Sequence, residues 1–128
     1  MDLSNATIGQ LMIPADDLDR AVSFYRDSLG LPFLFAAPPH MAFFMCGSVR
    51  LLVGKLPPEQ AGQRGSAVYF KVDDIHDTAA TLKRRNVRFD AEAHIVHRTA
   101  KSELWLAEFT DSEGNRLALM AETPLSGH

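Results

Sequence analysis

The sequence contains a single cysteine and no long hydrophobic run. Cys46 has no second cysteine to pair with, so an internal disulfide and a cysteine-based zinc site are both excluded. Its position between Met45 and Gly47 favours a small buried thiol over a reactive one. No apolar run approaches the roughly 20 residues that cross a bilayer, and the first ten residues lack the features of a signal peptide. We therefore expect a cytoplasmic protein without a membrane partner.

An excess of positive charge is missing as well. Thirteen lysines and arginines against 16 aspartates and glutamates give a net charge of −3. Nucleic acids and anionic membranes both require a basic face, so neither is an expected partner. The composition, 46% hydrophobic and 23% charged, is that of an ordinary globular protein. We expect residues 1–128 to form one folded domain.

The stretch from Ile8 to Leu31 predicts a strand, a turn and an amphipathic helix. Alternation over residues 10–13 is typical of a strand with one face against a helix. The carboxylates of Asp16 and Asp17 can accept hydrogen bonds from the first N–H groups of the helix, and Gly30 is expected to end it. The apolar face of this helix comprises Leu18, Ala21, Val22, Tyr25 and Leu29.

The same pattern returns at residues 66–89, and each copy continues into further strands. Further strands are predicted at 33–37, 41–46, 49–53, 66–72, 88–98, 103–110 and 115–121, and a second helix at 75–85. Pro38-Pro39 predicts a hinge or turn, and residues 122–128 are predicted to be a loose tail. The fold class is therefore α+β, with two βαβββ modules at about 8–54 and 66–122. Residues 55–65 join them. Each module is expected to form a mainly antiparallel sheet with one helix on one face.

Three motifs carry a family resemblance: LMIPADDLDRAVSFYRDSLGL, VDDIHDTAATLKRRNV and FTDSEGNRLALM. They resemble the glyoxalase, bleomycin resistance and extradiol dioxygenase group, the vicinal oxygen chelate superfamily, from residue 8 to about 122. The resemblance implies two modules whose sheets curl around a pocket, in a homodimer. It does not fix the reaction, because members include lyases, isomerases, dioxygenases and proteins that sequester drugs.

Enzymes of this superfamily hold a divalent metal on His, Gln and Glu side chains. The four ligand positions that the resemblance implies correspond here to Gln10, Ala67, Ala118, and Arg50 or a neighbour of Arg50. Three of these side chains cannot bind a metal, and one amide oxygen is too few donors. We expect no cofactor. A divalent metal at a relocated site is the alternative, although His94 and His97 are expected to face opposite ways on an extended strand.

Strand alternation predicts which side chains line the pocket. If the hairpin closes symmetrically through residues 112–114, Glu108 stands opposite Ala118 and faces the pocket. The alternatives are a register slip that turns Glu108 outward, or an ion pair between Glu108 and an arginine. Arg50 is either an anion clamp or a charge that protects an edge strand. The predicted ligand-binding residues are Gln10, Met12, Arg50, Tyr69, Glu108, Ala118 and Met120. The interior aromatics Phe35, Phe43, Phe44, Trp105 and Phe109 either stack on a planar ligand or form core.

These features favour a metal-independent protein that binds a small apolar or aromatic molecule. The alternative is a lyase, isomerase or dioxygenase-type enzyme acting on a small carbonyl or aromatic substrate. In that case Glu108 is the catalytic base and Gln10 or Arg50 orients the substrate. A third hypothesis, binding of a protein partner through a sheet face, has no specific support in the sequence.

Overall fold

A computed structural model describes residues 2–37, 40–55 and 67–125. The chain divides into two compact units, Met1–Gly65 and Ser66–His128. The predicted Pro38-Pro39 hinge lies outside the described residues. Residues 56–65 of the predicted connector and residues 126–128 of the predicted tail also lie outside them. The prediction of a loose tail is wrong for residues 122–124, which belong to the last strand.

The first unit contains one four-stranded mixed sheet and one helical segment. Its elements are β1 (Gln10–Pro14), α1 (Leu18–Val22), a π-helical segment (Ser23–Ser28), β2 (Phe33–Ala37), β3 (Met41–Cys46) and β4 (Val49–Gly54). The strand order is β1-β4-β3-β2, in which β1 and β4 are parallel and the other pairs antiparallel. β4 is therefore an inner strand.

The helix begins as the sequence predicts and then widens. The Asp17 carboxylate accepts a hydrogen bond from the backbone N–H of Arg20 at 3.0 Å, which caps the first turn. The α-helical spacing from which the helix was predicted holds only for its first part. The Leu29 N–H bonds the carbonyl of Phe24, five residues earlier, as in a π-helix. Tyr25 in this segment is fully buried, with its ring 5.8 Å from that of Phe44.

The second unit repeats this plan. Its elements are β5 (Val68–Lys71), α2 (Ile75–Arg84), β6 (His94–Arg98), β7 (Ser102–Thr110) and β8 (Arg116–Pro124). The strand order is β5-β8-β7-β6, again with one parallel pair, β5 and β8. The strand predicted over residues 88–98 is shorter than expected, since only β6 and a single bridge between Phe89 and Phe109 form. Among the described residues, no helix has the length and apolar character needed to span a bilayer.

One hydrogen bond recurs at the same point of both units. Ala15 N–H donates to the Gly54 carbonyl at 2.7 Å, and Val72 N–H donates to the Met120 carbonyl at 2.9 Å. When the two units are aligned by this hydrogen bond, Gly54 is equivalent to Met120. The preceding residues of β4 are then equivalent, in order, to those of β8. The α+β fold with two βαβββ units, each with an open mixed sheet, is confirmed.

One face of each sheet forms the core of its unit. Side chains on alternate positions of the strands pack beneath the helices, as alternation predicts. The buried set on this face includes Ile13, Phe44, Leu51 and Val53 in the first unit and Phe109, Leu117, Leu119 and Ala121 in the second. The opposite face of each sheet, called here the helix-free face, contains the predicted site residues.

Candidate functional site

Gln10, Met12 and Arg50 share the helix-free face of the first unit. In the parallel pair of β1 and β4, Gln10 lies beside Arg50 and Met12 beside Leu52. On the other side of β4, Phe43 of β3 lies opposite Leu52. Met12 is 41% exposed, so this face presents apolar surface that the described residues leave uncovered.

The Arg50 side chain is held in a defined position on this face. Its Nε donates a hydrogen bond to Gln10 Oε1 at 2.7 Å. Its guanidinium carbon lies 5.2 Å from the centroid of the Phe43 ring, within the range of a cation–π contact. In the described part of the chain, the two terminal Nη groups have no hydrogen-bond partner and no carboxylate lies within ion-pair distance. The interpretation of Arg50 as an edge-strand charge is wrong, because β4 lies between β1 and β3.

The repeat also corrects one of the implied metal-ligand positions. Since Gly54 corresponds to Met120, the first-unit counterpart of Ala118 is Leu52, and the counterpart of Arg50 is Arg116. The sequence had suggested Arg50 or a neighbour of Arg50 for this ligand position, and Leu52 is two residues further along β4. It carries an aliphatic side chain with no donor atom.

Two of the predicted aromatics extend the apolar surface beside Arg50. Phe35 and Phe43 stack with their ring centroids 4.5 Å apart and their planes at 29°. Phe35 is 48% exposed, whereas Phe43 is nearly buried. Phe44 and Phe109 belong to the core beneath the helices, and Trp105 lies on that side too, edge-on to His76. Only Phe35 and Phe43 of the five thus share the face of Arg50.

The remaining predicted residues lie on the helix-free face of the second unit. Ala118 of β8 has Tyr69 of β5 on one side and Glu108 of β7 on the other. Met120 is two positions along the same strand, opposite Leu106. The register predicted from the symmetry of the hairpin is therefore present, without the slip that would turn Glu108 to the other face.

Glu108 carries an unpaired oxygen next to a histidine. Its Oε1 is enclosed and accepts no hydrogen bond from the described residues, and His94 Nε2 lies 3.8 Å away. His94 Nδ1 lies 2.8 Å from the Glu92 carbonyl, which can only accept, so Nδ1 carries a proton. At 3.8 Å, Nε2 and Oε1 are too far apart for a hydrogen bond. Glu108 makes no ion pair with an arginine in the described ranges.

A bulge in β6 overturns the expectation that His94 and His97 face opposite ways. His94 lies opposite Leu106 and Ile95 opposite Trp105, but His97 lies opposite Leu104, because the register shifts between Ile95 and His97. Leu104 and Leu106 alternate onto one face of β7, so both histidines share the face of Glu108. Alternation alone could not reveal this, since it assumes an unbroken strand.

The seven predicted ligand-binding residues line neither of two grooves beside the helices, although Trp105 lines the second groove. Grooves of about 530 and 290 Å³ lie beside α1 and α2 respectively. Within residues 2–37, 40–55 and 67–125, no three His, Cys, Asp or Glu side chains converge as a metal site requires. Cys46 is only partly buried, and desolvation raises the pKa of its thiol, which makes the thiol a weak nucleophile at neutral pH.

Comparison with known proteins identifies the family. A family model of the Glyoxalase/Bleomycin resistance protein/Dioxygenase superfamily matches residues 7–119. The chain belongs to this superfamily, as its motifs and its two βαβββ units indicate. A search of curated proteins finds no match.

Solved structures show the same fold. The chain is similar to a lactoylglutathione lyase from Agrobacterium tumefaciens, with 23% identity, a TM-score of 0.71 and coverage of 92% of this chain and 95% of that one. It is also similar to TnmS3, an antibiotic binding protein from Streptomyces sp. CB03234, with 21% identity, a TM-score of 0.72 and coverage of 95% and 100%. An integron cassette protein from the mobile metagenome of V. cholerae has a TM-score of 0.74 at 17% identity, with coverage of 94% and 98%.

Proposed function

We propose that this protein binds a small apolar or aromatic molecule without a metal ion, and that the helix-free face of the first unit takes part in binding. The observation that carries the proposal is the hydrogen bond from Arg50 Nε to Gln10 Oε1. Gln10 is the one side chain with a suitable donor among the implied ligand positions, and its oxygen is already engaged by a cation.

The residues present do not fit a divalent metal. A metal at Gln10 would have to displace the Arg50 guanidinium and then lie next to its positive charge. Ala118 and Leu52, at the two equivalent positions of β8 and β4, supply no donor. The exposed apolar side chains Met12 and Phe35 favour an apolar or aromatic ligand instead.

Similar proteins support this proposal at the level of the family. One structural neighbour is described as an antibiotic binding protein, so the fold can serve binding as well as catalysis. We extend to this chain the binding of a small molecule and the formation of a homodimer, as the resemblance implies. The cytoplasmic location stays a prediction of the sequence.

Metal content tests the first part of the proposal. We expect no ion to be retained when the purified protein is dialysed against nickel, zinc, manganese or iron(II) and analysed for metals. The double variant Ala67→His with Ala118→Glu restores two donors and serves as the matched control, in which retention should rise. One tightly held ion per wild-type chain would contradict the proposal. Binding itself is measured as a ligand-dependent rise in Tm in the presence of EDTA, because a ligand that binds only the folded state stabilises it.

The second candidate function is a metal-independent lyase or isomerase. Glu108 favours it, since its side chain is about one-third exposed beside His94 and the carboxylate could take a proton from a bound substrate. Tyr69, on the same face across Ala118, offers a hydroxyl that could orient an oxygen of the substrate.

Glu108→Gln tests this candidate. The substitution keeps the shape of the side chain but removes the base, so any conversion of lactoylglutathione or another small carbonyl compound that persists in EDTA should fall by about 100-fold or more. Glu103→Gln is the control, because Glu103 is on the same strand but bonds Arg98. Turnover that is unchanged in Glu108→Gln would exclude Glu108 as the base.

A further inference from the structure

The position of Arg50 indicates what kind of ligand the first unit would take. We infer that its helix-free face recognises an oxyanion attached to an aromatic ring, with the anion on the Arg50 guanidinium and the ring on the Phe35–Phe43 stack. This inference rests on the proposed function and specifies the chemistry of its ligand.

The guanidinium is oriented before any ligand arrives. Gln10 fixes Nε, and the face of the Phe43 ring supports the planar group. Two terminal nitrogens remain without a partner among the described residues, and a guanidinium donates two parallel hydrogen bonds to a carboxylate, sulfonate or phosphate. A group held in this way loses little side-chain entropy on binding.

The surroundings of Arg50 suit a single anionic group on an apolar body. The other described positions that alternate onto this face of β1 to β4 are uncharged. They include Gln10, Met12, Phe35, Ala37, Met41, Phe43, Met45 and Leu52. One cation in a chain of net charge −3 is too little to bind a polyanion such as nucleic acid. The observations therefore favour a small aromatic anion.

The repeat provides an internal comparison. Arg116 is the counterpart of Arg50 in the second unit, and the counterpart of Gln10 there is Ala67, which has no amide oxygen. The sequence therefore has an arginine at both equivalent positions. Among the described residues, Arg50 is hydrogen-bonded by Gln10, whereas Arg116 has no such partner. Arg116→Gln is consequently a matched control for the loss of the same charge.

Two fluorescent probes test the inference. They are 8-anilino-1-naphthalenesulfonate and N-phenyl-1-naphthylamine. Both have the same aromatic rings, but only the first has a negatively charged group, its sulfonate. In EDTA, we expect Arg50→Gln to weaken binding of the sulfonate probe roughly tenfold or more, the effect of losing a hydrogen bond to a charged group. Binding of the neutral probe should not change, and Arg116→Gln should leave both affinities as in the wild type. Near-UV circular dichroism verifies that each variant is folded.

Gln10→Glu is a second test that does not remove Arg50. The new carboxylate pairs with the guanidinium and competes with the sulfonate, so affinity for the anionic probe should fall while the neutral probe still binds. Equal affinities for both probes in the wild type, or the same loss in Arg50→Gln and Arg116→Gln, would overturn the inference but leave small-molecule binding intact. Failure of the folded wild type to bind either probe would overturn the inference and count against the proposed apolar binding face as well.

Discussion

Phe44→Ala should lower the free energy of unfolding by about 3–5 kcal/mol, the typical loss for a large aromatic removed from a core. Phe44 is completely buried, and its ring lies 5.8 Å from Tyr25 and 5.4 Å from Phe33. The cavity cannot close easily, because β3 is paired on both sides and α1 lies across the same face. Urea unfolding followed by circular dichroism measures the effect.

Phe35→Ala is the control for this prediction. Phe35 is on the neighbouring strand and stacks on Phe43, but about half of it is exposed. We expect a loss of only about 1 kcal/mol, since less surface returns to water and no enclosed cavity forms. If the two variants unfolded at the same urea concentration, the assignment of Phe44 to the core and of Phe35 to the open face would be wrong.

Asp111→Ala should also lower the free energy of unfolding strongly, by about 3 kcal/mol. The buried carboxylate organises the turn between β7 and β8. Its Oδ1 accepts from the backbone N–H groups of Glu113 at 2.9 Å and Asn115 at 2.7 Å, and its Oδ2 accepts from the Asn115 amide at 2.8 Å. Alanine leaves these donors without their acceptor, and each hydrogen bond to a charged group contributes about 1.5–3 kcal/mol.

Two variants separate the effect of Asp111 from that of a general change in the turn. Asp111→Asn retains one oxygen for the two backbone donors, so about half of the stability loss should remain. Asp90→Ala removes an exposed carboxylate that, among the described residues, accepts a hydrogen bond from the Thr110 hydroxyl alone. It should cost less than about 1 kcal/mol. Urea unfolding of the three variants would contradict the prediction if Asp90→Ala were as destabilised as Asp111→Ala.

Much of the fold follows from interactions between residues close together in sequence. Asp17 and Asp74 cap their helices because each accepts from an N–H three residues later. Gly30 takes the positive φ that its position after the helix requires, and residues 111–115 form the turn that their composition indicates. These features were predictable from one sequence, and so was their repetition.

Features that depend on how strands pair were predictable only in part. The hairpin of β7 and β8 has the register expected from its turn, so Glu108 was placed opposite Ala118 correctly. The bulge in β6 and the π-helical segment leave no signal in the hydrophobic pattern. Consequently His94 and His97 were predicted to face opposite ways, and the whole helix was predicted with α-helical periodicity.

Caps, turns and alternation are local, so the amino-acid sequence was enough to predict the two βαβββ units, their superfamily and the helix-free positions of Gln10, Met12, Tyr69 and Ala118. Three features became visible only in the folded chain: β4 is an inner strand, Leu52 corresponds to Ala118, and Arg50 bonds Gln10. The physical reason is distance along the chain. Arg50 and Gln10 meet because two strands 40 residues apart pair in one particular register, and no local preference specifies that register.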